Sequence, residues 1–280
     1  MRLLVTGGSG FLGSELAHQA RAAGWEVVAT HRSRPAANGT TVPLDITDPA
    51  AVEALVVATR PDVVVNTAYV LSGPALAAIT AEGPGHVARA CLAHGARLIH
   101  LSTDLVFDGR RGGYSEADPA TPIIPYGEAK TRAEEEVIAL DPTALIVRTS
   151  LLLDSSLGLG PQETRPLECA RGELDMGFFT DEWRTPVSVR DLAAALLEAA
   201  TRPALAGLLH IAGPDRLHRL ELAQLVCARH GVDPAGLRGA LSADLAGERP
   251  RDVSLDSSLA ASRLATRIRG IREVLAERAG

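Results

Sequence analysis

The segment Tyr126-Gly127-Glu128-Ala129-Lys130 carries the most specific chemistry in this chain. At a spacing of four, the tyrosine and the lysine fall on one face of a helix. A phenol ionises at a pKa of about 10 and is a poor acid-base group at neutral pH unless its anion is stabilised. A neighbouring ammonium provides that stabilisation electrostatically. A tyrosine so tuned can protonate the alkoxide formed when hydride adds to a ketone, or deprotonate an alcohol in reverse. Tyr-x-x-x-Lys also begins ordinary amphipathic helices, but here Lys130 is the only lysine among 28 basic residues and Tyr126 is one of 3 tyrosines. Arginine cannot serve as a compact ammonium donor or give up its proton, so a single retained lysine marks a place where arginine fails. Leu101-Ser102-Thr103-Asp104 adds hydroxyls: Thr103, or less favourably Ser102, can hydrogen-bond a substrate carbonyl oxygen and hold it for Tyr126.

Nearer the start, Thr6-Gly7-Gly8-Ser9-Gly10-Phe11-Leu12-Gly13 places Gly7, Gly10 and Gly13 three apart. Glycine permits a sharp turn and close backbone approach to a pyrophosphate. A helix opening at Phe11 and Leu12 would aim free N–H groups and a positive dipole end at that anion. About 20 residues on, where an acid would select NAD, stands Thr30-His31-Arg32-Ser33-Arg34. Guanidinium suits a phosphate dianion, so the two arginines of this segment point to the 2′-phosphate of NADP(H), with His31 and Arg32 expected at the cofactor; a pair of solvated surface arginines is the plain alternative. Asp45 and Ile46 are expected beside the adenine edge, although Asp45 equally suits a turn cap. Thr67, Ala68 and Tyr69, after Asn66, are expected to flank the nicotinamide half, with Tyr69 facing the substrate or merely packing.

Only a particular frame brings these residues to one edge. Apolar runs at residues 3–6, 26–30, 42–45, 62–66, 97–102 and 144–148 read as strands. Helical patterns alternate with them at 11–23, 48–58, 85–94 and 127–140. The expected fold class is therefore α/β: a doubly wound parallel sheet of the Rossmann type, with a small C-terminal substrate lobe. Residues 1–150 form the dinucleotide-binding part, and 187–212 return to it with a helix at 189–201 and a strand at 208–212. Residues 151–186, which show little periodicity, and 213–280, with helices near 220–230 and 271–278, form the lobe. Glu134-Glu135-Glu136 reads as a solvated helix face.

Composition narrows the classes of partner. The 280 residues are 46% hydrophobic, enough for a full core. No apolar run approaches the roughly 20 residues that span a bilayer. A formal net charge of −6 and 3% aromatic content argue against nucleic acid. Neither nucleic acid nor membrane is an expected partner. No secretory signal opens the chain. Cys91, Cys169 and Cys227 are odd in number and scattered, and the 8 histidines lack ligand spacing. A reduced, cytoplasmic protein without a metal is expected.

The glycine loop, Asn66–Tyr69, Ser102-Thr103-Asp104 and Tyr126…Lys130, in this order, resemble the extended short-chain dehydrogenase/reductase family. Ser102-Thr103-Asp104-Leu105-Val106-Phe107-Asp108-Gly109, Arg184-Thr185-Pro186-Val187 and Arg249-Pro250-Arg251-Asp252-Val253-Ser254-Leu255-Asp256 resemble its dTDP-4-dehydrorhamnose reductase subgroup. The resemblance implies NADPH-linked reduction of a keto-sugar nucleotide, a small-molecule partner, with Thr103, Tyr126 and Lys130 as the catalytic trio. Thr103, Asp104, Arg184 and Arg249 then face the substrate. Arg148 and Arg251 also suit a diphosphate but are less favoured, and a homodimer is left open. Thr80 stands where the family often has asparagine, Leu105 where it has tyrosine, and 71–74 lack the usual acidic pattern. Two other readings stay open: an epimerase or dehydratase that retains NAD, and a non-catalytic NADP-binding regulatory subunit.

Overall fold

The computed structural model describes residues 1–35, 41–244 and 247–277. Strands β1 (Arg2–Thr6), β2 (Glu26–His31), β3 (Thr41–Pro43), β4 (Val63–Asn66), β5 (Arg97–Thr103) and β6 (Leu145–Thr149) fall close to the apolar runs. Between them run α1 (Phe11–Ala22), α2 (Pro49–Thr59), α3 (Gly83–His94) and α4 (Pro125–Leu140). Next come β7 (Leu152–Leu153), α5 (Pro161–Ala170), β8 (Gly177–Phe179), β9 (Trp183–Arg184) and β10 (Val187–Ser188). Then follow α6 (Val189–Ala200), β11 (Gly207–His210), β12 (Leu217–His218), α7 (Arg219–Arg229), β13 (Arg238–Ala240), α8 (Ser258–Arg263) and α9 (Ile271–Ala276). Arg278, the expected end of the last helix, lies outside the described residues.

Seven strands make one sheet in the order β11-β6-β5-β4-β1-β2-β3, and every pairing is parallel. The strand order reverses between β1 and β4, where such sheets open a crevice at their carboxyl ends. Both faces are covered. Val5, Val65, Leu101 and Val147 pack under α1 and α6, while Leu4, Val64, Leu98 and Ile146 pack under α2, α3 and α4. Burial on both faces is why these strands are continuous apolar runs rather than alternating ones.

Local signals set the helix starts. Asp48 Oδ1 accepts from the amides of Ala50 and Ala51 at 3.0 and 3.1 Å, and Pro49 occupies the first turn of α2. The α5 helix lies within 151–186, where periodicity gave no sign of it; Pro166 stands inside it and costs it a backbone hydrogen bond. With α7 and α9 it packs around Leu153, Leu167, Val226 and Ile271. Ala260 and Leu264, from 213–280, pack instead into the core beneath α1 and α6.

The acidic run on α4 is not a solvated face. Glu135 is exposed, but Glu134 is buried and bonded to Arg148. Helical periodicity turns residue 134 to the same side as Lys130. Among the described residues no helix is long and apolar enough to cross a membrane.

Candidate active site

The glycine loop joins β1 to α1. Gly7 has φ +71°, and a Cβ there would lie 2.8 Å from the Ala68 amide nitrogen. A Cβ on Gly13 would overlap the Gly7 carbonyl oxygen and come within 2.9 Å of Thr67 Oγ1. Thr67 Oγ1 in turn donates to the Thr6 carbonyl at 2.7 Å, tying the loop to the end of β4. A cleft of about 230 Å3 opens here, lined by Gly7, Gly10, Arg32, Asp45, Ile46, Thr67, Ala68 and Tyr69. Ser9, Thr30 and Arg34 join that lining. Asp45 also caps a turn, accepting from the Thr47 amide at 3.0 Å. Six expected cofactor residues are not in the lining, Tyr126 and Lys130 at the neighbouring strand ends and four nearer the loop. Leu12 belongs to the core, Phe11 rests on Gly160, Gly13 sits beneath the loop, and His31 turns Nδ1 to Thr41 Oγ1 at 2.7 Å.

At the neighbouring strand ends, β5 carries Ser102 and Thr103, and α4 carries Tyr126 and Lys130. Lys130 is 3% exposed and donates from Nζ to the Leu101 carbonyl at 2.8 Å. Its ammonium lies 5.5 Å from the centre of the Tyr69 ring, and that ring is 5.9 Å from the ring of Tyr126. Ser102 donates its hydroxyl to Glu134 and is thereby committed. Thr103 Oγ1 donates to Asp104 Oδ1 at 3.2 Å and accepts from the Leu105 amide at 3.3 Å. Thr80 lies on a π-helical turn, Ala77–Glu82, and clamps the segment after Tyr69. Its Oγ1 accepts from the Val70 amide at 3.0 Å and donates to the Val70 carbonyl at 2.9 Å.

The electrostatics differ from the expectation of a phenol lowered by its lysine. Burial, reinforced by Tyr69 and Asp104, pushes the Tyr126 phenol well above its ordinary value. Burial lowers Lys130 to about 8, and the Glu134 carboxylate opposes that fall. Tyr126 is thus a neutral phenol at physiological pH, a group that can give a proton rather than take one.

Around Asp104, charges are paired rather than free. Burial raises the Asp104 carboxyl, while Arg184, 3.7 Å away, and Ser150, donating at 2.6 Å, pull it back. Arg184 also lies 3.9 Å from Glu182, and Arg249 bonds the same Glu182 while its guanidinium sits 4.9 Å over the Phe179 ring. Arg219, which sequence reasoning passed over, joins this cluster; burial and the nearby Arg184 lower it to about 10. Nothing in composition marks one arginine among so many, so only the fold reveals it. Arg148 is not a substrate grip, being buried in its ion pair with Glu134. Arg251 and Arg249 line a separate outer cleft of about 730 Å3 with Trp183 and Arg216. Among the described residues no cluster of His, Cys, Asp or Glu is placed to hold a metal ion.

A doubly wound parallel sheet with a glycine turn at its switch point, and Thr103, Tyr126 and Lys130 beside it, is the architecture of the extended short-chain dehydrogenases/reductases. A family model described as the RmlD substrate binding domain matches residues 1–279, and the chain belongs to that family. The dTDP-4-dehydrorhamnose reductase of Mycobacterium tuberculosis (strain CDC 1551 / Oshkosh) is 36% identical over 263 residues, covering 89% of this chain and 82% of its own. A crystal structure of a hypothetical dTDP-4-dehydrorhamnose reductase from Sulfolobus tokodaii matches with a TM-score of 0.82 at 31% identity, over 96% of this chain and 97% of that one. The dTDP-4-dehydrorhamnose reductase of Bacillus anthracis str. Ames, solved in complex with NADP, matches with a TM-score of 0.86 at 23% identity, over 98% and 97%.

The crowding at Gly13 yields a first test. Gly13→Ala should destabilise the fold by about 1–3 kcal/mol, because the methyl group must displace the Gly7 carbonyl. Chemical denaturation would show a lower midpoint at unchanged slope; an unshifted midpoint would contradict the packing described.

Proposed function

We propose that the chain is an NADPH-dependent reductase of a keto group on a nucleotide-activated sugar, with Tyr126 as the proton donor. The observation that carries this reading is the Tyr69 ring, a wall of the glycine-loop cleft, lying 5.9 Å from the Tyr126 ring and 5.5 Å from the Lys130 ammonium. The names of the relatives supply the substrate class. The NADP held by the Bacillus anthracis reductase and the exposed Arg32 and Arg34 on the cleft wall favour NADP(H) over NAD. The lobe from 151–186 and 213–280 is read as the cover over the sugar nucleotide. Free, buried Cys91, Cys169 and Cys227 accord with the cytoplasm.

The residues present fit such a cofactor. Gly7, Gly10 and Gly13, with the amides of Phe11 and Leu12, would hold its pyrophosphate, and a methyl group on Gly7 or Gly13 would spoil the cradle. Arg32 and Arg34 would face the 2′-phosphate, Asp45 and Ile46 the adenine, and Thr67, Ala68, Tyr69 and Lys130 the nicotinamide half. When bound, the reduced nicotinamide supplies hydride to the carbonyl carbon. Thr103 then orients the carbonyl oxygen, and Tyr126 Oη gives that oxygen its proton as negative charge develops. Lys130, as an ammonium, stabilises the phenolate left behind. Asp104, Arg184 and Arg249 would line the substrate side. Because Arg184 and Arg249 each already meet a carboxylate, they read as a fixed polar wall more than as free anion grips.

Two outcomes check this reading. Tyr126→Phe should lower kcat about 10²- to 10⁴-fold on a dTDP-4-keto sugar while NADPH binding, followed by fluorescence, persists; near-normal turnover would refute the proton donor. Replacing Arg32 and Arg34 by alanine should weaken NADPH about tenfold and leave NADH nearly unchanged, as expected for a lost phosphate contact. Equal weakening of both cofactors would instead mean the arginines do not read the 2′-phosphate.

A further inference from the structure

Glu134 lies one turn beyond Lys130 on α4 and is 3% exposed. Its carboxylate takes a two-pronged contact from Arg148 on β6, Nε to Oε1 at 3.0 Å and Nη2 to Oε2 at 2.6 Å. Arg148 is itself 2% exposed, and its Nη1 has no hydrogen-bond partner among the described residues. The same carboxylate accepts the hydroxyl of Ser102 on β5. Three successive β5 residues are therefore engaged at one level. Leu101 gives its carbonyl to Lys130, Ser102 its hydroxyl to Glu134, and Thr103 presents the hydroxyl beside Asp104.

Stability alone does not account for this arrangement. Burying an ion pair costs desolvation of both charges, and an apolar pair of similar volume often does as well or better. An unpaired guanidinium nitrogen adds to that cost. What the pair accomplishes, and an apolar pair would not, is to fix the rotation and height of one helix against two strands while placing a negative charge one turn from an ammonium.

We propose that Glu134 is a positioning residue for the reaction centre: through Ser102 and Arg148 it sets the helix bearing Tyr126 and Lys130 against the strand bearing Thr103, with its carboxylate one turn from the Lys130 ammonium. This rests on the reading of Lys130 given above. Other groups around Lys130 do not substitute for Glu134. His100 on β5 is kept uncharged by burial and by Lys130 itself, and Tyr69, from the segment after β4, offers only its ring face. Asp104 faces Arg184 and Ser150, and Arg89 of α3 pairs with Glu136 near the surface.

The sign of the effect is fixed. Lys130, lowered to about 8, is an ammonium below that pH and loses its charge as pH rises through it. Removing the Glu134 charge moves that loss to lower pH. Because Lys130 is the only lysine in the chain, lysine enriched with 13C at Cε yields one side-chain resonance whose titration reads this group directly, without substrate or cofactor. In Glu134→Gln the midpoint should fall by about 1 pH unit, and kcat on a dTDP-4-keto sugar should fall roughly 10- to 100-fold with KM for NADPH little changed. Ser102→Ala should lower kcat with the midpoint unmoved, since the charge stays. The paired variant Glu134→Gln/Arg148→Met removes the uncompensated guanidinium and guards against simple misfolding. If it regains thermal stability yet keeps the low kcat, the proposal stands. A wild-type midpoint in Glu134→Gln alone, or wild-type kcat in the paired variant, overturns it. If the wild type itself turns over no keto sugar, the functional reading fails, while the resonance still decides what Glu134 does to Lys130.

Discussion

Withdrawing one ammonium from water governs how this site is built. An isolated charge of that kind is costly inside a protein unless hydrogen bonds and an opposite charge receive it. Lys130 meets both conditions at the carboxyl end of β5, with the Leu101 carbonyl 2.8 Å away and the Glu134 carboxylate one turn along its own helix. The consequences spread outward. His100 beneath it stays neutral, Ser102 is drawn to Glu134, and Thr103 turns its hydroxyl to Asp104.

The same burial favours the protonated phenol. A phenol surrounded by another tyrosine, a buried carboxyl group and little water keeps its proton, and that is the state a reduction needs from its acid. The reverse reaction would need the phenolate. The ammonium assists by stabilising that anion when it forms, rather than by producing it beforehand. The paired charges at Asp104, Arg184, Glu182 and Arg249 supply a polar wall that is already neutralised, so rigidity rather than net charge is what it offers to a ligand.

Much of this was legible in one dimension, for reasons specific to the architecture. Strands covered on both faces are continuous apolar runs, so the six strands of the first half could be found from hydrophobicity alone, and the glycine spacing fell between a clear strand and helix. The Tyr126–Lys130 spacing stood out because lysine is otherwise absent. What stayed hidden was anything decided by three-dimensional partners. Glu134 looks like one of three like charges until the helix turns it inward to Arg148. Arg219 is one guanidinium among many until α7 carries it to Arg184. The α5 helix was masked by its own Pro166, and its stability comes from packing against Leu217, Leu222 and Val226 rather than from its local sequence.

The central claim is that this edge of the sheet delivers a hydride to a sugar carbonyl and a proton to its oxygen. The most direct measurement is a turnover with NADPH carrying deuterium at the transferred C4 position and a dTDP-4-keto-6-deoxy sugar, followed by NMR of the product. The account requires one deuterium on the new carbinol carbon and none at the neighbouring carbons. Cofactor oxidised without label on that carbon, or label scattered to adjacent positions, would contradict it.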